Sequence, residues 1–197
     1  GKMKRTEEVY RELLHQAENG NRMLTQKAVS ENLGISLSNV SNALGPLRDM
    51  GAIDVKKMCF YIINPKKILY HWASVRNLKK DILYSTRAQK SVIEIEKSMP
   101  DSVIFTAYTA YTLRYKDAPA DYSEVYVYSD DLEEIKKRIP ESKNPPNIFV
   151  LKKDKSIDKY GKIATNANIF VDLWNLPEWY AQEFLKSMEE KWSIGAR

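Results

Sequence analysis

Cysteine, histidine and glycine are scarce: one, two and seven residues respectively in a chain of 197. A lone cysteine, Cys59, forms no intramolecular disulfide, which fits a reducing cytosol and predicts a cytoplasmic protein. Cys59 falls in a strand-like segment, where a small buried hydrophobe is the expected role. His15 and His71 have no cysteine partner at ligand spacing, so no zinc or other metal is expected. No P-loop, Gly-rich dinucleotide turn or GxSxG motif occurs, and no cofactor is expected. No apolar run approaches the roughly 20 residues that span a bilayer, so no membrane partner is expected. No signal-peptide pattern opens the sequence, and export is not expected.

The composition, 43% hydrophobic and 29% charged, is that of a soluble globular protein, long enough for two small domains. The net charge of +5 is unevenly placed. Residues 1–80 hold 14 Lys/Arg against 7 Asp/Glu, and residues 81–197 hold 17 against 19. Affinity for a polyanion is therefore expected in the first half.

Residues 25–48, TQKAVSENLGISLSNVSNALGPLR, have the pattern of a helix-turn-helix. Thr25 is placed to cap a first helix, with Ala28, Val29 and Leu33 on its inner face. Gly34 follows where helices end in a left-handed residue, and Ile35 plugs the turn. Ser36 caps a second helix whose inner face is Val40, Leu44 and Leu47. Ser38, Asn39, Ser41 and Asn42 then form a short polar outer face, as a helix that reads base edges requires. Gly45-Pro46 predicts a kink or an early end, because proline removes a helix hydrogen bond.

The surroundings extend the pattern. Residues 6–18 form an amphipathic helix with Thr6 as the expected cap and Val9, Leu13, Leu14 and Ala17 as core. Residues 52–63 read as a two-strand hairpin with Lys56 and Lys57 at its tip. Helix, helix, helix, hairpin is the winged-helix order. The expected DNA-contacting residues are Ser38, Asn39, Ser41 and Asn42 for bases, Ser36 at the start of the same helix, and Lys27, Arg48, Lys56 and Lys57 with Arg22 for phosphates. Asn64-Pro65 starts a further helix, with Asn64 as the expected cap, predicted to run to about Ser85, with Ile68, Trp72, Val75, Leu78 or Lys79, and Ile82 inward and Arg76 outward. This helix joins the two halves or pairs in a homodimer, since readers of this type use two half-sites.

The second half mixes strands and helices. Residues 89–99 read as a helix, 102–106 as a strand and 108–115 as a helix. The alternation in SEVYVYSDD predicts a strand with one buried face. Asp130 is expected to cap the next helix, with Glu133 completing a capping box. NIFVLKK is a strand, and Pro177-Glu178 opens the last helix. Tyr108, Tyr111, Tyr115, Tyr122, Tyr126 and Tyr128 suit core packing with hydroxyls at the rim, or alternatively a ligand pocket or stacking on bases.

Three segments carry a resemblance: FTAYTA at Phe105 to Ala110, VYVYSDDLEEI at Val125 to Ile135, and NIFVDLWNLPEWYAQEFLKSM at Asn168 to Met188. Together with the preceding winged helix, they resemble the AbiEi-type regulators, antitoxins of type IV toxin–antitoxin systems. The resemblance implies a DNA-binding transcriptional regulator with a toxin partner and a C-terminal domain of nucleotidyltransferase-like topology. It also places an aromatic-Asp-Leu strand at Phe170 to Leu173.

Catalysis is not expected there. A nucleotidyltransferase needs a Gly-Ser turn to cradle phosphate and paired carboxylates on a strand to hold magnesium. Thr106-Ala107-Tyr108-Thr109 holds no glycine, and Tyr126 and Tyr128 stand where carboxylates belong. Asp130 and Asp131 are adjacent and diverge, and Asp172 is alone in an apolar segment. The expected architecture is an α/β (α+β) chain: a winged-helix domain with linker helix at 1–85, and a mixed α/β domain of degenerate nucleotidyltransferase-like topology at 86–197. The expected function is sequence-specific binding of double-stranded DNA by a transcription regulator. The alternatives are a small-molecule-sensing winged-helix repressor and a nucleotidyltransferase with a DNA-targeting arm.

Overall fold

The structure is a computed structural model and describes residues 3–192. Helix α1 (Arg5–Glu18) begins one residue before Thr6. The start is set by Glu7, whose carboxylate accepts the Lys4 backbone N–H at 3.1 Å. Strand β1 (Met23–Leu24) leads into helices α2 (Gln26–Leu33) and α3 (Leu37–Asp49). Both expected caps are made. Thr25 Oγ1 accepts the Ala28 N–H at 3.0 Å, and Ser36 Oγ accepts the Asn39 N–H at 3.1 Å. Gly34 closes α2 at φ +63°, a left-handed conformation that costs glycine nothing. Ala28 is exposed, so the inner face of α2 is Val29 and Leu33 alone.

Helix α3 does not end at Gly45; it continues through Pro46 to Asp49. Pro46 removes the N–H that would bond the Asn42 carbonyl, but both residues are on the exposed side, where solvent completes that carbonyl. Val40, Ala43, Leu44 and Leu47 are all buried and pin both sides of the gap. Strands β2 (Ile53–Val55) and β3 (Phe60–Ile62) form the hairpin, and β1 adds to β3, giving an antiparallel sheet of order β1-β3-β2.

Helix α4 (Pro65–Val75) ends ten residues before Ser85. The periodicity continues in sequence, but its residues do other work. Arg76, expected outward, is buried and extended, and binds Asp81; Val75, expected inward, is exposed. A single tight turn (Leu78–Asp81) leads to strand β4 (Ile82–Thr86), so residues 85 and 86 lie inside a strand.

The remaining elements are α5 (Val92–Ser98), β5 (Ile104–Thr106), α6 (Ala107–Tyr115), β6 (Val125–Ser129), α7 (Leu132–Arg138), β7 (Ile148–Lys152), α8 (Asn166–Trp174) and α9 (Ala181–Lys191). They build a four-stranded sheet of order β4-β7-β6-β5, parallel between β6 and β7 and antiparallel elsewhere. Strand β6 alternates as expected, yet both faces are buried. Tyr126 and Tyr128 join the core of α6, α8 and α9, while Val125 and Val127 join Ile95 of α5 and Ile135 of α7. Residues 170–173, where a strand was expected, are helical within α8. Thr165 caps the helix, accepting the Asn168 N–H at 3.2 Å. A fully buried apolar run has no solvent face, so its periodicity does not separate strand from helix. Asp131, not Asp130, caps α7 through the Glu134 N–H, which leaves Glu133 outside a capping box. The last helix starts at Ala181, after a turn closed by the Ala181 N–H on the Glu178 carbonyl at 3.1 Å.

One hydrophobic cluster runs through both halves, from Leu13, Leu47, Phe60 and Trp72 to Tyr108, Tyr111, Phe170 and Phe184. Helix α1 packs on α3, α4 and α8 and so joins the small sheet to the large one. No helix among the described residues is long and apolar enough to cross a membrane.

Candidate nucleic-acid interface

The outer face of α3 is built by its caps and its buried stripe. With Val40, Ala43, Leu44 and Leu47 inward, helical spacing turns Ser38, Ser41, Asn42 and Gly45 outward as one stripe. Ser38, Ser41 and Asn42 are exposed. Asn39 is half-buried and sits at the edge of this arc, away from Ser41. The Ser36 hydroxyl is occupied as the cap. Two residues that composition gave no reason to select complete the face. Leu37 opens the helix 55% exposed, and Gln26 lines a depression with Ser41, Leu44, Gly45, Arg48 and Val55.

A second depression adjoins the first and shares Gln26 and Val55 with it. Thr25 and Lys27 of the α2 start line one side, and Lys56, Lys57, Met58, Cys59 and Phe60 of the hairpin line the other. The hairpin is closed by the Lys56 N–H on the Cys59 carbonyl at 2.8 Å, which puts Lys57 and Met58 at the tip. Met58 is 80% exposed. The structure thus gathers Lys27, Arg48, Lys56 and Lys57 beside the α3 face. Lys56 Nζ lies 2.9 Å from Asp54, whose hydrogen bond and charge push the ammonium pKa up. Lys27 Nζ lies 4.0 Å from Glu31. Both are exposed pairs, weak enough to yield to a phosphate. Arg22 lies apart from them, its guanidinium on the Ile63 carbonyl.

The second half arranges its polar groups differently. The turn from β5 into α6 holds Ala107 at φ +55°, a left-handed conformation that glycine adopts more readily. Thr106 Oγ1 donates to Asp172 at 2.6 Å, and the Tyr128 hydroxyl donates to the same carboxylate at 2.7 Å. Tyr108 and Tyr126 both donate to Glu178, at 3.0 and 2.9 Å. Burial raises the Glu178 carboxyl pKa against these bonds, and burial with the Glu178 charge raises both phenols. Tyr108, Tyr111, Tyr126 and Tyr128 are buried, whereas Tyr115 and Tyr122 are half-buried. Asp130 is exposed and faces Lys153 at 3.8 Å, while Asp131 is the helix cap, so the two carboxylates do not converge. No group of three or more metal-ligating side chains occurs among the described residues.

Between the halves lies a chain of buried ionic contacts. Arg11 binds both oxygens of Asp154, with its Nη1 at 3.0 Å, and also reaches Asn168 at 3.1 Å. Burial acts to raise the Asp154 carboxyl pKa, but the Arg11 guanidinium outweighs it and holds that pKa low. Arg76 sits between Asp81 and Asp172, its Nε 3.5 Å from the latter. Burial raises the Asp172 carboxyl despite Arg76. Glu8 accepts from Ser156 at 2.6 Å, and Glu12 accepts from Tyr160 at 2.6 Å and Lys159 at 3.1 Å. Comparison with protein-family models, curated proteins and solved structures gives no match.

Proposed function

We propose that this protein is a sequence-specific transcription regulator that binds double-stranded DNA. In this reading residues 5–62 act as a winged helix-turn-helix, with α3 in the major groove and the β2–β3 hairpin as the wing. One observation carries it: a capped helix turns an uncharged polar stripe outward beside Lys27, Arg48, Lys56 and Lys57. Polar groups without charge suit base edges, and the flanking cations suit phosphates. The excess of basic residues in the first 80 agrees with this placement.

The second half acts here as a non-catalytic body, degenerate relative to a nucleotidyltransferase. Its turn at Ala107 lacks glycine, and Tyr126 and Tyr128 are committed to Glu178 and Asp172. With the AbiEi-type resemblance, the reading extends to an autoregulating cytoplasmic antitoxin that binds its operator as a homodimer and has a toxin partner. The test is selection from a random duplex library by the full chain. Enrichment of an inverted repeat, with half-sites one helical turn apart, is expected. Failure to enrich any sequence at low salt refutes the proposal.

A further inference from the structure

The thirteen residues from Ile35 to Leu47 hold no charged side chain. This is unusual for a face beside four cations, and it restricts what the face can read. Guanine is most often read by an arginine or lysine bridging O6 and N7, and cytosine by a carboxylate accepting from N4. The outward stripe of α3 offers neither until Arg48 and Asp49, in its last turn. The reading end of such a helix is its first turns. There the exposed groups are the Leu37 isobutyl, the Ser38 and Ser41 hydroxyls and the Asn42 carboxamide, with the Gln26 carboxamide beside Ser41. A carboxamide pairs with adenine through N6 and N7, and an apolar side chain packs on the thymine methyl.

We propose that α3 reads A·T base pairs, with Asn42 pairing adenine and Leu37 packing on a thymine methyl. This rests on the DNA-binding reading above and names its target. The hairpin tip points the same way. Lys56, Lys57 and the exposed Met58 suit a narrow minor groove, which A·T tracts supply with enhanced negative potential.

The experiment uses the full chain and the duplexes it selects from a random library, alongside Asn42→Ala and Leu37→Ala. Both side chains are exposed, and thermal melting confirms that each variant is folded. The positions whose preference disappears in Asn42→Ala are expected to be A·T, with a loss of roughly fivefold to a hundredfold in discrimination. Replacing thymine by uracil removes only the methyl group. It is expected to weaken binding by the wild type severalfold and to leave Leu37→Ala unaffected. G·C at the Asn42-dependent positions, no change of preference in Asn42→Ala, or equal uracil sensitivity in Leu37→Ala overturns the inference. In each of those cases the chain still binds DNA specifically, so the broader reading survives. Absence of any enrichment removes the broader reading instead.

Discussion

Arg11 and Asp154 are 143 positions apart and meet with no access to solvent. Two desolvated charges are stable together only because the guanidinium fork covers both carboxylate oxygens. Breaking the pair leaves one of them stranded. Asp154→Asn should therefore destabilise the protein by about 3–5 kcal/mol at pH 7. The sign of the pH dependence follows from the direction of the shift. Because the folded pKa of Asp154 is held below the ordinary 3.8, its contribution is complete above that value. It disappears as pH falls through the folded value. The gap between denaturant titrations of wild type and Asp154→Asn should thus begin to close only below about pH 4 and go on closing as pH falls further. A gap that stays constant from pH 7 to pH 3 would show that the pair contributes no linked stability.

At the scale of the element, the β2–β3 hairpin carries Lys57 at its tip and Lys56 next to it, beside the start of α2. If both meet phosphates, each neutralises about one and releases its counterion. Changing both to alanine should flatten the salt dependence of DNA binding by about two units in log–log slope, for every sequence alike. A wild-type slope in the double variant would remove the hairpin from the interface. The caps at Thr25, Ser36 and Asn64 were legible because capping is a local contract between a side chain and an N–H three residues on. So was the outward polar stripe of α3, which follows from spacing. The end of α4 and the helical state of residues 170–173 were hidden for the opposite reason. Arg76 leaves its helix for Asp81 and Asp172, and α8 is buried all round, so partners distant in sequence decided both. Glu7, Glu8, Arg11 and Glu12 look like the wet face of α1 and are in fact enclosed.

Across the whole molecule, α1 and α4 are wedged against α8, and one core crosses between the small and large sheets. Such an arrangement should unfold in one step. Urea transitions followed by tryptophan fluorescence and by far-ultraviolet circular dichroism should coincide, and residues 1–80 alone should show no cooperative transition. A sharp transition in that fragment would mean that the basic half is an independent unit. The same wedge has a consequence for synthesis. Helix α1 is made well before the groups that satisfy its buried polar side chains, Asp154, Ser156, Tyr160 and Asn168. At roughly 5–20 residues per second, Arg11 waits about 7–30 s for its carboxylate to be made. A ribosome that stalls before residue 154 therefore holds a nascent chain in which α1 can pack on α3 and α4 only by burying Arg11 without its carboxylate, and such a chain is open to chaperones and proteases until translation resumes.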